Sequence, residues 1–145
     1  MDSDLDLSQP ADRAELRPHP LPVLAAISAG GVLGALARYG LGLAWPQPPP
    51  GFPWATWTIN VSGSFLIGVL MTAIGRWHPR QRYLRPFLGA GVLGGYTTFS
   101  TSIVDLQHSR PPIALLYLFG TLLGAILAVW AGSALTGLGA ERTGQ

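Results

Sequence analysis

Four long apolar stretches, from Pro22 to Ala44, Trp54 to Ile74, Pro86 to Leu106 and Pro112 to Thr136, constrain what this chain can fold into more than any other feature. Each is close to or above the roughly 20 residues that a helix needs to cross about 30 Å of hydrocarbon. Nearly ninety consecutive residues separate Glu15 from Asp105 without a single carboxylate, and charged residues make up only 11% of the chain. An average soluble domain carries about 25%. The chain therefore reads as an all-α membrane protein with four transmembrane helices.

Proline marks the boundaries. Pro18, Pro20 and Pro22 precede the first stretch, five prolines fall between Pro46 and Pro53, Pro86 opens the third and Pro111-Pro112 opens the fourth. This residue is tolerated at a helix start, where its missing N–H has no intrahelical partner to lose. Trp45, Trp54, Trp57, Trp77 and Tyr83 fall near the stretch ends, where an interfacial aromatic belt is expected. The domain limits that follow are a disordered acidic tail over 1–20, a four-span domain over 21–137 and a short C-terminal tail over 138–145.

All nine basic residues are arginine, and their placement is asymmetric. With an even number of spans, Arg13, Arg17, Arg76, Arg80, Arg82, Arg85 and Arg142 share one side, and the other side has Arg110 alone. By the positive-inside rule both termini face the cytoplasm. The arginine cluster is a topology signal and not a nucleic-acid footprint, because no aromatic residues interleave it on a charged face. The chain has no cysteine, so disulfides and thiol chemistry are excluded, and its histidines, His19, His78 and His108, lie far apart. No nucleophile, base and orienter recur at useful spacing, so no enzyme is expected.

The spans carry uncharged polar groups. The run Gly94-Gly95-Tyr96-Thr97-Thr98-Phe99-Ser100-Thr101-Ser102 places two glycines and five aliphatic hydroxyls in the third stretch. Irregular backbone at that depth is tolerated only where it is buried in protein or lines a polar cavity, so a helix broken near its middle is expected there. In the second stretch Thr56, Asn60, Ser64 and Gly68 recur at four-residue spacing and share a face. Asn60 offers two N–H donors without a charge, for an interhelical hydrogen bond or for a passing anion. The fourth stretch repeats the device with Tyr117, Thr121 and Ala125, beside Gly120 and Gly124. Gly30, Gly31, Gly34, Ala35 and Ala37 give the first stretch a small-residue packing face. Arg38, inside that stretch, either snorkels to the interface or faces an ion vestibule.

Hydroxyls, amide N–H groups and the positive rims of aromatic rings, with no carboxylate in the first three spans before Asp105, favour an anion as guest. The alternative, a small proton-coupled multidrug or metabolite exporter, wants a titratable acid at mid-membrane. Three segments then carry a resemblance: Gly30-Gly31-Val32-Leu33-Gly34-Ala35 running on to Arg38-Tyr39, Asn60-Val61-Ser62-Gly63-Ser64-Phe65 with Gly68, and Gly94 to Thr101. In this order they resemble the Fluc (CrcB-type) fluoride channels. The resemblance implies an antiparallel dimer of four-helix subunits that lets fluoride leave the cell passively, with a structural Na⁺ at the dimer centre. It implies that Asn60, Phe99, Ser100, Tyr117 and Thr121 line the fluoride pore, that Arg38 is a vestibule or structural residue, and that Gly94 and Thr97 carbonyls hold the Na⁺. Ser102 departs from the family pattern, which has a second phenylalanine there. Some members of that family pair two different, oppositely oriented chains, and that departure with the arginine bias fits such a paralogous partner, the alternative being a second identical copy.

Overall fold

A computed structural model describes residues 20–46, 51–78 and 81–143, and the expected acidic tail before them lies outside the described residues. The described residues fold as helices: α1 (Pro20–Ala44), α2 (Trp54–Trp77), a π-helix π1 (Arg85–Leu93), α3 (Gly94–Tyr96), α4 (Ser100–His108) and α5 (Pro111–Thr143). Among the described residues three helical segments are long and apolar enough to cross a membrane, Leu21–Ala44, Trp54–Trp77 and Pro111–Gly139. At 1.5 Å per residue, α1 is about 37 Å long, enough to span with some tilt. The fourth apolar stretch sits inside α5, which continues to Thr143.

The third stretch is divided among π1, α3 and α4. Pro86 lies in the first turn of π1, where its ring costs no hydrogen bond. Gly94 N donates to both Gly89 O and Gly91 O at the end of π1, the wider of these being the spacing of a π turn. After Tyr96 the backbone opens: Thr97 is extended, with φ −74° and ψ 158°, and helical structure resumes at Ser100.

Two close-packed pairs build the molecule, α1 along π1 and α3, and α2 along α5. In lipid, helices associate by packing and not by escape from water, so small residues at the seam decide which pairs form. In the first pair a Cβ on Gly30 would meet the Phe87 carbonyl and lie 2.9 Å from Val92 N, and one on Gly91 would lie 2.8 Å from Ile27 O. In the second pair the close approach is between Gly68 and Gly132, whose added Cβ atoms would meet the carbonyls of Val129 and Phe65. Gly120 and Gly124, the small pair expected on the fourth span, instead make room for the Trp57 indole and Val61. Arg76 Nη1 donates to Gly137 O at 3.0 Å and ties the end of α2 to α5.

Few side chains are fully enclosed. Ile59, Ile74, Leu93 and Tyr117 are the buried hydrophobic residues among those described, whereas Leu36, Leu123 and Trp130 lie on open outer faces. For a membrane-spanning chain this is the expected balance, since lipid tails solvate such faces as well as other side chains do. The expected orientation is directly testable, because the sequence contains no cysteine to compete with an introduced one. In intact cells a membrane-impermeant maleimide is expected to label His108→Cys and to reach Gln81→Cys only after permeabilisation; the reverse pattern would invert the topology.

Candidate functional site

The site forms where the non-helical step after Tyr96 meets the polar stripe of α2. Thr98 sits opposite Asn60, and the two exchange a pair of hydrogen bonds: Thr98 N donates to Asn60 Oδ1 and Asn60 Nδ2 donates to Thr98 O, each at 2.9 Å. The carboxamide thus replaces helical partners that the interruption removes from the Thr98 backbone. Buried backbone groups must find such partners, and a side-chain amide supplies a donor and an acceptor in one plane. The Thr98 hydroxyl accepts from Thr101 N at 3.2 Å and donates to Thr101 Oγ1 at 3.0 Å, which satisfies a free amide in the first turn of α4. Arg38 reaches across from α1, and its Nε donates to Gly95 O at 3.2 Å. Of the two roles open to Arg38, this contact ties it to the end of α3.

Ser102 is the hub. Its buried hydroxyl donates to Thr98 O at 3.0 Å, one turn back along the chain, and accepts from Asn60 Nδ2 at 2.9 Å and from Tyr117 Oη at 2.9 Å. Tyr117 is only 1% exposed. Its ring is held edge-on against Phe52, with centroids 5.6 Å apart, and Phe52 in turn stacks near Trp54 and Trp57. An aromatic cluster therefore backs Tyr117, and Trp57 is part of it. One turn beyond Tyr117, Thr121 Oγ1 is buried with no hydrogen-bond partner.

Asn60, Ser64, Thr97, Thr98, Tyr117 and Thr121 line one cavity of about 470 Å³ together with Gly94, Phe99 and apolar side chains of π1, α4 and α5. Among the expected site residues, Asn60, Tyr117 and Thr121 converge in it. Phe99 lies at its rim with its ring 79% exposed, and Ser100 is exposed and outside the lining. The stripe on α2 divides: Asn60 and Ser64 face the cavity, whereas Gly68 is the contact with α5. The role of Ser102 had no sequence signal beyond its position three residues after Phe99 in a hydroxyl run.

Two main-chain oxygens also lose their usual helical donors here. In an unbroken α-helix the amides of Thr98 and Thr101 would bond Gly94 O and Thr97 O. They donate instead to Asn60 Oδ1 and Thr98 Oγ1. The Gly94 and Thr97 carbonyls are hard oxygen donors of the kind an alkali or alkaline-earth cation takes. Among the described residues no cluster of His, Asp or Glu offers an alternative metal site.

Helices that span a membrane, packed through glycine seams around a cavity of uncharged donors, define a small polytopic membrane protein built to handle a polar species. Residues 25–133 match the family described as CrcB-like protein, Camphor Resistance (CrcB), and the chain belongs to that family. It is 49% identical over 113 residues to the fluoride-specific ion channel FluC 1 of Streptomyces coelicolor, covering 75% of this chain and 73% of that protein. It is 49% identical over 128 residues to FluC 2 of Thermobifida fusca, covering 86% and 95%. FluC 2 of Nocardia farcinica is 46% identical over 136 residues, covering 94% of each chain.

Proposed function

We propose that this chain is a subunit of a passive, fluoride-selective channel of the bacterial cytoplasmic membrane, and that it lowers intracellular fluoride by letting the ion leave down its gradient. The observation that carries the reading is the convergence of neutral donors from α2 and α5, the Asn60 carboxamide and the Tyr117 hydroxyl, on one point beside the interrupted third span. Fluoride holds its water tightly, so a selective path must replace that shell with close donors. Uncharged ones permit release, which fixed positive charge would oppose. The unpartnered Thr121 hydroxyl extends the path by one turn of α5. Ser100 and the Phe99 ring edge, positive at its rim, complete the proposed lining.

The reading includes a second subunit. A cavity of about 470 Å³ is far larger than one ion, and the Phe99 ring at its rim is mostly uncovered. An antiparallel partner of the same family would narrow the path and cover that ring. On this reading the arginine asymmetry favours both termini of this chain in the cytoplasm, and so favours a paralogue of opposite orientation over a second identical copy as the partner. The numbered names of the relatives, FluC 1 and FluC 2, fit a family with several copies. The third span is the family's broken helix on this reading, and the Gly94 and Thr97 carbonyls, without the helical donors Thr98 N and Thr101 N, would hold a structural Na⁺ at the subunit boundary. The ion would supply local positive charge there and fix the crossing of the two chains. Arg38, bonded to Gly95 O, steadies the same helix end.

The test is flux from proteoliposomes, with the chain reconstituted alone and with a co-expressed family partner. Fluoride efflux is expected to exceed chloride efflux by at least about a hundredfold and to be unchanged by an imposed pH gradient, because hydrogen-bond-based discrimination reaches such ratios in a site built for one ligand. Efflux that follows the pH gradient at fixed fluoride gradient would replace this reading with the proton-coupled exporter.

A further inference from the structure

We infer that the Ser102 hydroxyl occupies, within its own chain, the point at which Asn60 and Tyr117 would hold an anion, so that fluoride must displace Ser102 to bind there. The inference rests on the channel reading above and assigns a competitor to its site. Ser102 Oγ accepts hydrogen bonds from Asn60 Nδ2 at 2.9 Å and from Tyr117 Oη at 2.9 Å, and its own proton goes to Thr98 O at 3.0 Å. Its one donor and two acceptor sites are therefore all engaged.

The donor side is equally committed. One Asn60 N–H serves Thr98 O and the other Ser102 Oγ, while the only Tyr117 O–H serves Ser102 Oγ. No proton of either side chain remains for a guest while this arrangement holds. A hydroxyl oxygen and a fluoride ion are close in size and both accept short hydrogen bonds, so the position that suits one suits the other. Ser102 differs from a free ion in being tethered, so it takes the position without the translational entropy that a dissolved anion loses on binding.

A route for displacement exists in the side chain itself. Serine has three staggered χ1 wells, and exchange between them moves Oγ while leaving the backbone of α4 in place. Ser102 then acts as a one-hydroxyl gate: seated, it occupies the donors, and rotated away it exposes two converging protons. The neighbouring Thr121 hydroxyl, buried and without a partner, gives an arriving anion a third donor on the same helix as Tyr117.

Ser102→Ala removes the competitor at nearly constant volume. Fluoride binding to purified full-length protein, by calorimetric titration with NaF, and fluoride efflux from proteoliposomes are measured for the wild type, S102A and S102T. The expected result is that S102A binds fluoride about tenfold more tightly, the scale of one net hydrogen bond. Efflux is expected to rise in parallel, and S102T, which restores the hydroxyl, to return both towards wild-type values. A merely structural serine predicts unchanged or weaker binding for S102A, whereas the melting temperature falls on either account because Asn60 and Tyr117 lose their acceptor. Wild-type protein that binds or conducts fluoride, with S102A no better at either, overturns the assignment of Ser102 and leaves the channel reading standing. If fluoride is neither bound nor conducted by any of the three, with or without a family partner, the channel reading falls, and the role of Ser102 falls with it.

Discussion

Asn60→Asp is expected to reduce fluoride flux by two to three orders of magnitude while leaving the protein folded. The substitution changes one NH₂ to an oxygen and hardly alters shape, so its effect is electrostatic. In the native chain Asn60 Nδ2 donates to Thr98 O and to Ser102 Oγ. A carboxylate there presents oxygen to oxygen at Thr98 and loses the donor aimed at the proposed anion position. A fluoride ion about 4 Å from that carboxylate would be repelled by roughly 4 kcal/mol at an effective dielectric of 20. That corresponds to roughly a thousandfold in rate. The ionised side chain still accepts from Thr98 N but loses its donation to Thr98 O, so some loss of stability accompanies it. Monodisperse elution and a cooperative melt separate this from unfolding. Flux within a few-fold of wild type from folded Asn60→Asp protein would remove Asn60 from the pore.

Much of this architecture was legible in the residues, and the parts that were not share a cause. Apolar length, proline placement and the long acid-free interval depend only on local sequence, and α1, α2 and α5 contain the first, second and fourth spans that these features mark. Four-residue spacing likewise identified Asn60 with Ser64, and Tyr117 with Thr121, as groups sharing a face, and the cavity receives all four. Spacing does not reveal how far a helix is rotated against its neighbour. Gly68 continues the stripe of Asn60 in sequence but drifts out of the cavity to become the seam with Val129 and Ser133. Gly120 and Gly124 form a small-residue pair in sequence, yet they accommodate the Trp57 ring. Ser102 reads in sequence as the loss of an aromatic ring. Its gain is a hydroxyl between Asn60 and Tyr117, 42 and 15 residues away, which only the packing of α4 against α2 and α5 could reveal. The same limit applies to π1, because a wider helical turn leaves no distinct residue pattern.

The seam between α1 and the third span carries the other large expected effect: Gly34→Val should abolish recovery of folded, monodisperse protein, and Gly34→Ala should lower its melting temperature by roughly 10 °C or more. A Cβ at Gly34 would collide with the Val92 carbonyl oxygen and lie 2.7 Å from Tyr96 N. Both opposing groups are backbone, so no rotamer change relieves the overlap and the helices themselves must part. Overfilling a packed contact costs about 1–3 kcal/mol even where side chains can shift. Here separation would also loosen Gly30 against Val92 and Gly95 against Gly31, and stretch the Arg38 to Gly95 hydrogen bond. Tyr96 is the last residue of α3, immediately before the Thr97-Thr98 step that meets Asn60. Displacing this helix end therefore moves one wall of the site, and whatever Gly34→Ala protein is recovered should also conduct fluoride more slowly. Gly40→Ala is the matched control, since an added Cβ there meets nothing within 4 Å and alanine favours the helix. Gly34→Val protein that elutes and melts like the wild type would mean that α1 does not rest on Val92 and Tyr96 at all, and the geometry of the third span would need rebuilding from that contact outward.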